Sequence, residues 1–217
     1  MTKKLSLTVD GKNVVVHLHK GDLPAEVKFN GPVAVDSETM GLSLVRDPLC
    51  LVQISDGGPE AHLVQFDRSN YDAPNLKAVL TDPNRLKLFH FARFDIAMLM
   101  RDLGIVCAPL YCTKIASKLV RTYTDRHGLK DLVKEVLGRD ISKDQQSSDW
   151  GAADLSDAQL AYAASDVLHL HALKEKLDVM LAREARSEIA QSCFDFLPTR
   201  AALDLAGWEE ADIFSHG

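Results

Sequence analysis

Five residues in three short motifs carry most of the chemistry open to this chain of 217 residues. Asp36 and Glu38 lie in Val33-Ala-Val-Asp-Ser-Glu-Thr-Met-Gly-Leu42, and Asp95 lies in His90-Phe-Ala-Arg-Phe-Asp-Ile-Ala-Met-Leu99. Tyr162 and Asp166 close the set in Tyr162-Ala-Ala-Ser-Asp166. Acidic side chains at a strand end and on apolar helices repel one another unless positive charge sits between them. A donor set built only of oxygen selects hard cations such as Mg²⁺ or Mn²⁺. A pair of such ions suits in-line attack on a phosphodiester. The pattern therefore predicts metal-dependent phosphodiester hydrolysis.

Each position also has a plain structural reading. Asp36 and Glu38 are two apart, so on a straight strand both project from one face. A buried unpaired carboxylate is costly, although an exposed edge strand tolerates such a pair. The run Val33-Ala34-Val35 argues for a buried strand and a functional pair. Gly41, in the turn that follows, permits close approach of a ligand. An acid in the first turn of a helix, as Asp95 is expected to be, is favoured by the helix dipole alone. Tyr162 and Asp166 are four apart and so neighbours on one helical face, an ordinary surface contact by itself. Joint occurrence is what makes the set specific.

The elements that must position these residues are legible in part. Leu5 to Val9 and Val14 to Leu18 flank Asp10-Gly11-Lys12-Asn13 as a hairpin. Val33 to Asp36, Leu51 to Ser55, His62 to Phe66 and Leu86 to His90 read as strands. Helices are expected over Pro74 to Leu80, Arg93 to Leu103 stopped by Gly104, Lys114 to Val120, and Leu129 to Leu137 stopped by Gly138. One long amphipathic helix is expected from Ser156 to Glu184, opened by the capping-box pattern Ser156-Asp-Ala-Gln159. Strands followed by helices imply an α/β domain with a central mixed sheet flanked by helices. The division expected is a hairpin extension over 1–20, the main domain over 21–196 and a C-terminal tail over 197–217.

Hydrophobic residues at 46% and charged residues at 26% are ordinary globular values. No apolar run is long enough to span a membrane, and the start lacks the apolar core of a secretory signal. Cys50, Cys107, Cys112 and Cys193 show no metal-finger or paired spacing, which suits free thiols in a reducing cytoplasm. A net charge of -6 argues against a long basic nucleic-acid surface but permits a small nucleotide substrate. Lys114, Lys118, Arg121, Arg126 and Lys130 cluster against Asp125. They read as a solvated face or as phosphate or inter-subunit contacts.

The three motifs resemble those of the DEDD 3′→5′ exonucleases, in the tyrosine subclass that includes ribonuclease D. The histidine subclass would need a histidine five residues before Asp166, where Ala161 stands. The stretch Ile141-Ser-Lys-Asp-Gln-Gln-Ser-Ser-Asp-Trp150 leading into Leu155-Ser-Asp-Ala-Gln-Leu-Ala-Tyr162 is similar to ribonuclease D-like chains. With Cys112-Thr-Lys-Ile-Ala-Ser-Lys-Leu-Val-Arg121 and the tail Phe196-Leu-Pro-Thr-Arg200, the resemblance narrows to the compact nano-RNase C group. It covers about residues 17–217.

That resemblance implies a ribonuclease H-like fold and release of nucleoside 5′-monophosphates from 3′ ends. It implies two divalent ions, Mg²⁺ or Mn²⁺, on Asp36, Glu38, Asp95 and Asp166. It also implies that Tyr162 orients the attacking water and takes its proton, although a phenol with an ordinary pKa of about 10 is a poor base at neutral pH and is expected mainly to position it. Thr39, Met40, Gly41, Leu42, His90, Phe91, Lys143, Gln146 and Ser148 are the expected substrate contacts. Leu42 would wedge between bases, or else simply close a turn as a core leucine, and Phe91 could stack on a base. His169 and His171 are expected to be structural, and Trp150 to pack. The implied substrates are short RNA oligonucleotides, dinucleotides included, and the implied assembly is a homo-oligomer, an octamer by resemblance. Trimming of longer RNA 3′ ends, DNA exonuclease activity, and a silent nucleic-acid-binding protein are the alternatives.

Overall fold

The computed structural model describes residues 3–9, 11–142 and 144–216. Two β-rich hairpins start the chain. Strand β1 (Lys3–Val9) pairs antiparallel with β2 (Lys12–Lys20). β3 (Val33–Thr39) pairs antiparallel with β4 (Leu49–Ser55), which returns as β5 (Glu60–Gln65). Helix α1 (Pro74–Thr81) leads into β6 (Lys87–Phe89), and α2 (Ala92–Met98) into β7 (Leu110–Cys112). Among the described residues these strands form one seven-stranded sheet in the order β1-β2-β5-β4-β3-β6-β7.

The opening hairpin extends that sheet, because β2 lies parallel to β5 with Lys20 beside Gln65. β3 lies near the centre, parallel to β6 on one side and antiparallel to β4 on the other. Every residue of β4 is buried, as expected for a strand covered on both faces. Central placement explains why β3 opens with three fully buried apolar residues before its acids.

Helices cover the sheet. α3 (Thr113–Val120) and α4 (Leu129–Leu132) precede α5 (Asp157–Leu168), which lies against β1 to β5. α6 (Leu170–Arg183) and α7 (Ser187–Leu203) pack on α3 and α2 respectively. The predicted capping box forms: Ser156 Oγ accepts from the Gln159 amide, and Gln159 Oε1 accepts from the Ser156 amide at 3.0 Å.

Three expectations change. The single helix expected from Ser156 to Glu184 breaks at His169, which leaves the helical path at φ -102 and ψ -11. Its apolar periodicity reads straight through because both helices bury an apolar face, Leu160, Ala163, Ala164 and Val167 in α5 and Leu170, Leu173, Leu177 and Leu181 in α6. The helices ending at Gly104 and Gly138 finish in wider π-turns, Leu99–Leu103 and Val133–Leu137, closed by those glycines at φ 67 and 68. The first seven residues of the expected tail, 197–203, close α7, a 17-residue helix despite Pro198 within it. It buries Phe194, Leu197 and Ala201.

Candidate functional site

The β3 alternation does the first part of the work. Asp36 and Glu38 are partly exposed, whereas Ser37 and Thr39 between and after them are buried. The register against β4 shifts between Glu38 and Thr39, a bulge of the kind that ends pairing beside functional sites. On α5, Tyr162 and Asp166 share one partly exposed face, and that helix lies against β3. Asp95, in the first turn of α2, is buried and accepts a hydrogen bond from Ser37 Oγ at 2.6 Å. It does not cap its own helix; no side chain does.

One carboxylate oxygen from each of Asp36, Glu38 and Asp166 falls within 4.8 Å of the others. Asp95 stands outside that trio but lines the same cleft of about 300 Å³, together with Tyr162. Burial pushes Asp36 from an ordinary value of 3.8 up to about 7. Glu38 is pushed up to about 10, by burial first and then by the charges of Asp36, Asp166 and Asp95. Asp95 and Asp166 rise well above the carboxylate range through burial and the charge of Asp36. The Tyr162 phenol also rises, from burial and then from Asp166, Glu38 and Asp36.

These charges act on one another with no lysine or arginine among the causes. Such crowding is what a bound cation relieves, because opposite charge at this range restores the ionised form. An oxygen-only set of this size fits Mg²⁺ or Mn²⁺ and gives a softer metal no sulfur or imidazole to bind. The residues present fit a divalent cation.

Around the acids the cleft is mixed. Leu42 is 81% exposed and lines it, so Leu42 is not a core leucine. Phe91 also lines it, in a left-handed conformation at φ 69, with Lys114 Nζ 4.0 Å from its ring centre. Thr39, His90 and Gln146 line the cleft as well, and His90 Nδ1 lies 2.9 Å from Thr113 Oγ1.

Other expected contacts sit elsewhere. Met40 is outside the cleft lining, with its sulfur 3.2 Å from an Arg68 guanidinium nitrogen. Gly41 is also outside it, and what approaches Gly41 closely is the Asp47 carboxylate, which a Cβ there would strike. Ser148 lies outside the lining too, its hydroxyl donating to Gln145 Oε1 at 2.7 Å. Lys143 falls outside the described residues. Trp150 is buried with its ring 6.0 Å from that of Tyr162. His169 is buried at the α5–α6 joint, and His171 Nε2 donates to the Pro32 carbonyl at 3.1 Å.

The basic cluster divides. Lys114 and Lys130 line the cleft. Arg121 is fully buried, donating to Ser117 Oγ and the Arg126 carbonyl, each at 2.9 Å, and pairing with Glu135. Arg121 is a core ion-pair residue and no phosphate contact. Sequence reading missed Ser37 and Gln53, whose amide Nε2 donates to Asp36 Oδ2 at 3.2 Å. A lone glutamine in the otherwise apolar run Leu49–Ile54 was the signal.

A family model described as 3′-5′ exonuclease matches residues 20–182. The chain belongs to the 3′-5′ exonuclease family. Ribonuclease D of Acidiphilium cryptum is 36% identical to this chain over 154 residues, which cover 71% of it. The match covers 39% of that relative, so the chain spans well under half of the curated protein it resembles. Among solved structures, Brucella melitensis NrnC superposes with a TM-score of 0.90 at 53% identity, covering 93% of this chain and 98% of that one. NrnC has also been solved bound to pGG and with bound Mg²⁺. Escherichia coli RNase D matches at a TM-score of 0.69 and 25% identity over 78% of this chain and 44% of that one. The expected α/β, ribonuclease H-like fold is the fold of these exonucleases. No helix among the described residues is long and apolar enough to cross a membrane.

Proposed function

We propose that this chain is a cation-dependent 3′→5′ exoribonuclease that releases nucleoside 5′-monophosphates from very short RNA, dinucleotides included. The observation that carries this reading is the convergence of Asp36, Glu38 and Asp166 oxygens within 4.8 Å, in a cleft shared with Asp95 and Tyr162. Those four carboxylates would hold two divalent ions, Mg²⁺ or Mn²⁺. Bound there, the ions supply Lewis-acid polarisation of the phosphodiester and acidify the attacking water.

Tyr162 is a neutral phenol at pH 7, since its surroundings raise its pKa above an already high ordinary value. It therefore orients the attacking water through its hydroxyl and is a poor acceptor for the proton. Exposed Leu42 and Phe91 offer apolar and aromatic faces to terminal bases, and Lys114 and Lys130 offer charge to phosphate. The cleft volume of about 300 Å³ is at the small end for ligand sites, which favours recognition of a chain end. The likeness to NrnC, solved with pGG and with Mg²⁺, supports the same reading.

The residues 21–196 would form the exonuclease unit, with the hairpin 1–20 appended at its edge. Homo-oligomerisation, to an octamer by resemblance, would use the segment 197–217, where Trp208, Ile213 and Phe214 are 47%, 46% and 73% exposed. Free Cys50, Cys107, Cys112 and Cys193 suit a cytoplasmic setting.

A time course on 5′-labelled RNA from two to twenty nucleotides, with Mg²⁺ and with chelator, tests the proposal. The dinucleotide should be consumed fastest, and chelator should stop the reaction. Faster turnover of the long substrates would overturn the short-oligomer reading.

A further inference from the structure

We propose that Gln53 is a positioning residue of the carboxylate site, fixing Asp36 so that the set can accept a divalent cation. The inference rests on the cation-dependent reading above. Gln53 is the cross-strand partner of Asp36 in the β3–β4 ladder, so the two side chains share one face of the sheet. It is fully buried in a strand whose other residues from Leu49 to Ile54 are apolar. Its Nε2 donates to Asp36 Oδ2 at 3.2 Å.

The other half of that amide is what marks it. Oε1 is buried with no hydrogen-bond partner among the described residues. A buried acceptor without a partner destabilises a fold, and an apolar side chain of the same length would avoid that cost. Gln53 is thus poorly chosen for stability and well chosen for its contact with Asp36. An ionised Asp36 accepts only, so it dictates which way the amide faces.

Asp36 is the residue worth fixing. Its charge acts on Glu38, Asp95, Asp166 and Tyr162 alike, which places it at the electrostatic centre of the site. A donor held on Oδ2 restrains how the Asp36 carboxylate can rotate within the site. Ser37 does the corresponding service for Asp95, donating to its Oδ1 at 2.6 Å from the opposite face of β3. Partners of this kind, one step removed from a metal ion, typically change cation affinity 10- to 100-fold, on the order seen in other metal sites.

The test is calorimetric titration of the full chain with Mn²⁺ and with Mg²⁺, together with thermal melting in chelator. Gln53→Met keeps length and burial but removes the donor, and Gln53→Asn keeps the amide but withdraws its reach. Both variants should bind the cations roughly 10- to 100-fold more weakly, and Gln53→Met should melt no lower than wild type in chelator. A merely structural glutamine would instead lower the melting temperature and leave affinity unchanged. Should Gln53→Met fail to fold, that structural outcome counts against the proposal, and wild-type affinity in Gln53→Asn would overturn it outright. Failure of the wild-type chain to bind either cation would instead remove the cation-dependent reading, a result distinguishable from both.

Discussion

Replacing Asp36 with asparagine should make the cation-free protein more stable while weakening its response to cations. Asp36 has its pKa raised from 3.8 to about 7, mainly by burial. A raised carboxylate pKa means that the folded chain holds a proton which the unfolded chain has already released, so stability falls as pH rises. Below about pH 4 the residue is protonated in both states and the substitution changes little. Between about pH 4 and 7 the cost of charging Asp36 in the fold grows, and above pH 7 it is complete. At about 1.4 kcal/mol per tenfold change in proton affinity, the ceiling is ~4 kcal/mol. Water reaching the partly exposed cleft floor screens part of this, leaving about 2 kcal/mol. At about 2–4 °C per kcal/mol for a chain of this size, Asp36→Asn should raise the melting temperature by about 4–8 °C at pH 8 in chelator.

Asparagine keeps an oxygen that can accept from Gln53, so the gain is not offset by a lost hydrogen bond. Adding Mg²⁺ should reverse the order. Wild type gains about 2.7 kcal/mol when the cation is present at 100 times its dissociation constant, and the variant gains far less. The assay is thermal melting from pH 4 to 8, with and without Mg²⁺. An Asp36→Asn protein no more stable than wild type at pH 8 in chelator would refute the claim that burying the charged Asp36 carboxylate destabilises the cation-free fold.

Tyr162→Phe should lower kcat on short RNA by about 10²- to 10⁴-fold with little change in KM; a wild-type kcat would take the water-orienting role away from Tyr162. Leu42→Ala should leave the melting temperature within about 1 °C, because an 81% exposed side chain supports no core. Its kcat/KM on a dinucleotide should fall on the order of 10-fold, the equivalent of losing about two buried methylenes against a base, and an unchanged value would remove Leu42 from substrate contact.

Much of the site was legible because its chemistry is written in residue types that ordinary folds avoid at those places. Two acids after an apolar strand, an acid on an apolar helix and a tyrosine four residues before an acid each have plain explanations, but their conjunction does not. Which neighbouring residues line the cleft was less legible. Met40, Gly41 and Ser148 sit in the same stretches as Thr39, Leu42 and Gln146, and sequence proximity does not say which side chain faces a cleft. Gly41 shows the limit well: the space its missing side chain leaves is taken by the Asp47 carboxylate, a residue that no local pattern connects to a ligand. Arg121 looked like its neighbours Lys114 and Lys118, yet its guanidinium is buried, held by Ser117 Oγ, the Arg126 carbonyl and Glu135.

The sequence by itself determined the α/β class, the strand carrying Asp36 and Glu38, the capped start of α5 and the glycine stops at 104 and 138, because these depend on local periodicity, capping and backbone freedom. Only the tertiary structure decided that Asp166 meets Asp36 and Glu38 within 4.8 Å, that Ser37 and Gln53 hydrogen-bond Asp95 and Asp36, and that the long helix breaks at His169. Those outcomes depend on pairing between residues far apart in the chain. A contact across a sheet leaves no trace in the spacing of either partner.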